Sequence, residues 1–153
     1  MKDKKITFLA QQIERDFLPF VQRPSRYIGG EVNQVRKNLS DCEVTMALCF
    51  PDIYEVAMSN TGTAILYRVL NEMDAVAAER CFAPWTDAED VLREKHIPLF
   101  TLESMAAVAD FDVIGFSLSN ELCYTNVLNM LDLAGISLRT KDRPEDQPLV
   151  IAG

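Results

Sequence analysis

Four short apolar runs, separated by stretches of helical periodicity, constrain this chain more than any other feature. The runs are "VTMALCF" (Val44–Phe50), "AERCFAP" (Ala78–Pro84), "DVIGFSLS" (Asp112–Ser119) and "PLVIAG" (Pro148–Gly153). Each is too short for a helix and is bounded by polar or turn residues, as a buried strand would be. Between the first two, Thr63–Met73 places Ile65, Leu66, Val69 and Leu70 on one helical face. "WTDAEDVLREKHIPLF" is expected to hold a helix starting at a Thr or Asp cap and ending before Pro98. "TLESMAAV" has the Thr-x-x-Ser/Glu pattern of another helix start. Asn120–Ala134 carries Leu122, Val127, Leu128, Met130 and Leu131 and stops at Gly135. Strand and helix therefore alternate, which predicts an α/β fold with a doubly wound, mainly parallel sheet of the Rossmann-like or flavodoxin-like kind. A last strand ending on "IAG" leaves an open edge, so the domain is expected to be truncated after its fourth strand.

Ahead of the alternation lies a different region. Ile6, Leu9, Ala10, Ile13 and Phe17 recur at helical spacing and predict an amphipathic helix that stops before Pro19. "VQRPSRYIGGEVNQVRKN" then reads as an extended connector with turns. The expected division is residues 1–40, an N-terminal helix and basic connector, and residues 41–153, the α/β domain. Charge follows the same division. Residues 1–40 hold eight Lys/Arg against four Asp/Glu, whereas 41–153 hold seven against nineteen, within a net charge of −8. The basic arm is expected to dock on its own acidic domain or a neighbouring one; the sharper alternative is contact with RNA or a partner through Arg23, Arg26, Arg36 and Lys37. No apolar run approaches the length of a membrane span and no export signal is legible, so the expected compartment is the cytoplasm. The four cysteines, Cys42, Cys49, Cys81 and Cys123, have no metal-site spacing and are expected to be reduced, with Cys49 and Cys81 in strands.

Ligands of parallel α/β sheets bind beyond the carboxyl ends of the strands. Three polar stretches converge there: "PDIYEVAMSNTG" after the first strand, "SLSNEL" after the third, and terminal Gly153 after the fourth. The candidate binding residues are Asp52, Tyr54, Glu55, Ser59, Asn60, Ser117, Ser119, Asn120 and Gly153. Simpler roles stand beside these. Asp52 and Glu55 suit a solvated turn and a helix start. Ser59, Asn60 and Thr61 are natural helix caps. Ser117 and Ser119, closing an otherwise apolar strand, face either a ligand or the helix that follows. No catalytic constellation is legible. The single histidine, His96, is expected at a helix end on the surface, and Walker-type, Rossmann-type and nucleophile-elbow glycine motifs are all missing.

Three of these stretches also carry a resemblance. "VTMALCFPDIYEVAMSNTGTAILYRVLN", "FDVIGFSLSNELCYTNVLNMLDLAGI" and "PLVIAG" resemble the cobalamin-binding-type domain that precedes the catalytic barrel in many radical SAM proteins. "RPSRYIGGEVN" with "FPDIYEVAMSNTG" is similar to the N-terminal region of a bacterial radical SAM family. In cobalamin binders of this kind the pattern is D-x-H-x-x-G after the first strand, S-x-L at the third and G-G at the fourth. Here Tyr54 stands at the histidine position and Ala57 at the glycine; Ser117 fits, Ser119 replaces the leucine, and Gly153 is one half of the pair. The resemblance implies an accessory domain that positions substrate or cofactor for a downstream barrel of the same chain, where a 4Fe-4S cluster and S-adenosylmethionine would bind. It also implies cobalamin without histidine ligation, or the loss of cobalamin, with loss favoured by the altered motifs. The alternatives are a stand-alone flavodoxin-like module binding a small molecule, with Asp52 as a phosphoacceptor, or an interaction module that uses the basic arm.

Overall fold

The computed structural model describes residues 2–153. The element order is α1 (Lys2–Asp16), β1 (Val44–Phe50), α2 (Tyr54–Met58), α3 (Thr61–Asn71), β2 (Val76–Phe82), α4 (Thr86–Lys95), β3 (Val113–Phe116), α5 (Tyr124–Leu133) and β4 (Leu149–Ala152), with short 3-10 turns between. The four strands form one sheet in the order β2-β1-β3-β4, and all three pairings are parallel. The predicted fold class is the observed one.

Register explains the layers. Cys49 pairs with Cys81 and with Phe116, and Ile114 pairs with Val150. Register partners in a sheet share a face, so Ala47, Cys49, Cys81, Ile114 and Phe116 line one side. That side is covered by Leu9 and Ile13 of α1, Phe17 just after it, Ala88 and Leu92 of α4, and Met130, Leu131 and Leu133 of α5. On the opposite side Leu48 and Ala78 pack against Tyr67 and Leu70 of α3. The right-handed crossover rule requires this division: the chain steps one way from β1 to β2 and the other way to β3 and β4, so the helices change sides.

The opposite side is only half covered. Among the described residues no helix lies over β3 and β4 there, and Leu149 and Ile151 are 63% and 45% exposed. The apolar face of α3 marked out by periodicity is also turned mostly outward, with Leu70 alone packing on the sheet. Ile65, Leu66 and Val69 are exposed, whereas Thr63 and Tyr67 are buried. Tyr67 took the core position because its ring packs on Leu48 and Ala78 while its hydroxyl reaches the connector.

Other expectations shift by a few residues. β2 begins at Val76 rather than Ala78 and ends at Phe82, and β3 ends at Phe116, before both serines. Trp85 is the residue before α4, and no Thr or Asp side chain caps that helix; Asp87 instead accepts from the Gln22 backbone at 2.6 Å. The α4 helix closes at His96, in the left-handed conformation (φ 52°), so the histidine is a helix terminator as expected. "TLESMAAV" starts no helix. It folds as a loop whose polar side chains are needed elsewhere.

The connector is strapped to the domain along its length. Arg23 and Arg26 pair with Glu55 at 3.2 and 2.8 Å. The Val35 backbone N–H donates to the Tyr67 hydroxyl at 2.8 Å, and Lys37 Nζ donates to the Met73 and Val76 carbonyls, both at 2.7 Å. Gly29 makes this path possible. Its φ is +67°, and a Cβ there would lie 2.5 Å from the Leu102 carbonyl oxygen. The arm therefore docks on its own domain.

Candidate functional site

The strand order places the topological switch point between β1 and β3, where the loops after those strands part. Ser117 N–H donates to the Cys49 carbonyl at 3.0 Å, and Asn126 Nδ2 donates to the Pro51 carbonyl at 2.9 Å. The first bond continues the β1–β3 ladder past the end of β3, and the second ties α5 to the loop after β1. The polar tips of β1, β3 and β4 do lie on one rim.

Most of the side chains predicted to serve a ligand are engaged locally. Asp52 Oδ1 accepts from the Ile53 N–H at 2.7 Å, closing its own turn. Glu55 accepts from Arg23 and Arg26, and Arg26 above all holds its carboxyl below the usual range. Ser59 Oγ donates back to the Val56 carbonyl at 2.7 Å. Asn60 is the N-cap of α3 and accepts from Thr63 N–H at 2.9 Å. Asn120 caps the turn before α5 by accepting from Leu122 N–H at 3.0 Å. Gly153 extends the ladder, donating to the Phe116 carbonyl at 3.1 Å and accepting from Leu118 N–H at 2.8 Å. The hydroxyls of Ser117 and Ser119 have no partner among the described residues; Ser117 is half-buried and Ser119 exposed.

Tyr54 points away from that serine pair. Its ring meets Phe82 edge-on with centroids 5.9 Å apart, and its hydroxyl donates to Glu31 of the connector. Desolvation first, and then the Glu31 carboxylate, push the phenol up to about 12. The rim thus has two halves. The β2 half holds Tyr54, Glu31, Arg26 and Glu55; the β3–β4 half holds Ser117, Ser119 and Gly153.

Beneath the β2 half lies a cluster that periodicity did not reveal. Glu79 and Arg80 are buried in the middle of β2. Arg80 Nε donates to Glu103 Oε1 at 2.7 Å, and its backbone N–H donates to Glu103 Oε2 at 2.6 Å. The guanidinium stacks on Tyr67, 4.3 Å from the ring centre, and Nη1 reaches Asn33 Oδ1 at 3.4 Å. Nη2 has no hydrogen-bond partner among the described residues. Glu79 accepts from the hydroxyls of Thr101 and Ser104, and burial raises both glutamates above the ordinary carboxylate range. The signal was present in the sequence: Glu-Arg inside an apolar strand must be compensated, and the polar side chains of "TLES", expected to start a helix, supply the partners instead.

A cavity of about 30 Å³ opens at the carboxyl end of β2, lined by Tyr27, Tyr54, Cys81, Phe82, Trp85 and Phe100 among others. Among the described residues no group of three or more His, Cys, Asp or Glu could hold a metal ion. No helix of the described residues is long and apolar enough to cross a membrane.

Neither the curated proteins nor the solved structures offer a match to this chain. A family model described as "Radical SAM proteins, N-terminal" matches residues 62–153, from the start of α3 through β4. That match spans more than half of the chain, and together with a parallel sheet whose strand tips share one rim it means that the chain belongs to the family of radical SAM N-terminal domains.

Proposed function

We propose that this chain is an accessory domain of a radical SAM enzyme, not catalytic by itself, which docks on a downstream barrel and helps position substrate or cofactor there. In that reading a 4Fe-4S cluster and S-adenosylmethionine belong to the barrel. Family membership gives the general setting. The observation that carries the docking role is the half-covered sheet. Leu149 and Ile151 lie bare on β4, and Leu66 and Val69 of α3, with Met73 just beyond its end, are exposed apolar side chains. Exposed apolar side chains of that kind on an otherwise acidic domain mark a surface that meets another surface.

The residues present do not fit a corrinoid held through its lower ligand. A phenol raised to about 12 and bonded to Glu31 does not replace an imidazole on cobalt. Ala57, at the glycine position, is buried, and the Asn126–Pro51 bond spans the switch-point crevice. No step is therefore derived through cobalamin. The RNA reading is weakened by the same kind of observation: Arg23, Arg26 and Lys37 are bonded to Glu55 and to backbone carbonyls. Asp52, closing its own turn, is a poor phosphoacceptor.

The experiment compares the full-length enzyme with a version lacking residues 1–153, both reconstituted with iron and sulfide without oxygen. We expect both to bind the cluster and to cleave S-adenosylmethionine, with substrate turnover lost only in the shortened one. Equal turnover would remove the accessory role. Hydrogen exchange in the full-length protein tests the docking face: Leu66–Met73 and Leu149–Ile151 should exchange more slowly than in the isolated domain.

A further inference from the structure

Cys49 and Cys81 are partners in the register of two adjacent parallel strands, β1 and β2. Both thiols are free, both are 1% exposed, and both face the same core cluster. Neighbouring strands lie about 4.7–4.9 Å apart, within the roughly 4.4–6.8 Å Cα range that a disulfide spans. Cys81 also lines the cavity at the carboxyl end of β2. A volume of about 30 Å³ admits a water-sized molecule, for which about 10–15 Å³ suffices. The other two cysteines have no such arrangement. Cys42 Sγ bonds the Asn38 carbonyl and Cys123 Sγ the Asn120 carbonyl, each within its own turn.

We propose that Cys49 and Cys81 are a redox modification site, oxidised to a cross-strand disulfide by hydrogen peroxide that enters through this cavity. The Cys81 thiolate attacks peroxide; an S–O bond forms, the O–O bond breaks, and the departing hydroxide takes up a proton to leave as water. The Cys49 sulfur then attacks the sulfenic sulfur. The S–S bond forms, the S–O bond breaks, and the hydroxide leaves as water with the Cys49 proton. Two thiols are oxidised and one peroxide is reduced to two waters. Burial raises the Cys81 thiol well above its ordinary value, so the first step is slow and the second thiol captures its product.

The test uses the unmodified chain treated with hydrogen peroxide, then denatured and alkylated. We expect Cys49 and Cys81 to lose alkylation together, peptide mapping to link them, and dithiothreitol to restore both. In Cys49→Ala, dimedone should trap a sulfenic acid on Cys81. Two thiols that stay alkylatable, sulfinic acid without a link, or a link through Cys42 or Cys123 would each overturn the proposal.

Discussion

Glu103 holds Arg80 at two points: one carboxylate oxygen accepts from the side-chain Nε at 2.7 Å and the other from the backbone N–H at 2.6 Å. The loop residue thereby neutralises a buried cation and also satisfies an outward-facing backbone donor of an edge strand. Leu102 N–H completes the coverage by donating to the Arg80 carbonyl at 2.7 Å. An edge that would otherwise be open to pairing is closed by a loop.

Removing one member of this pair strands the other. Glu103→Ala leaves a buried guanidinium uncompensated and should destabilise the domain by about 3–5 kcal/mol, read from urea midpoints. The double change Arg80→Met with Glu103→Leu should recover part of that loss, because the desolvation penalty disappears with both charges while the Arg80 backbone N–H stays unpaired. A single change that moves the midpoint no more than a surface substitution would remove the pair from the list of structural determinants.

Tyr54 and Tyr67 are both raised to about 12, desolvation by burial being the first cause for each. A group whose folded value lies above its unfolded value of about 10 stabilises the fold fully below the lower value and loses that contribution as pH climbs to the higher one. Stability should therefore hold up to about pH 10 and fall between about 10 and about 12. Tyr54→Phe and Tyr67→Phe should each flatten part of that fall. A flat profile across the window in the unmodified chain would contradict the assignment.

Gly29 and Gly30 both have positive φ, but only Gly29 approaches another backbone. Gly29→Ala meets the left-handed penalty of about 1–2 kcal/mol and a contact with the Leu102 carbonyl as well. Gly30→Ala meets the backbone penalty alone, since nothing lies within 4 Å of its added methyl. Thermal unfolding should rank Gly29→Ala below Gly30→Ala, and the gap should widen by exposing the connector to protease. The reverse ranking would mean that the connector is not held where Gly29 and Leu102 meet.

The strands themselves, the position of α1 and the place of His96 at a helix end were legible from local pattern, because period and composition act over a few residues. So was the cap at Asn60, which had a binding role as its other reading, whereas the cap at Asn120 emerged only from the structure. Local sequence gives two readings for such a residue, and only the neighbours choose between them.

The sequence by itself determined that strands and helices alternate, and with the crossover rule this settled the sheet and its carboxyl rim. Tertiary structure decided which apolar face of α3 turned inward, which partner compensated Glu79 and Arg80, and that the basic arm closed on Glu55. The physical reason is range. Hydrophobic period is set by residues three or four apart, whereas a buried charge is satisfied by whatever the fold brings within hydrogen-bond distance. For Arg80 that partner lies 23 residues further along the chain.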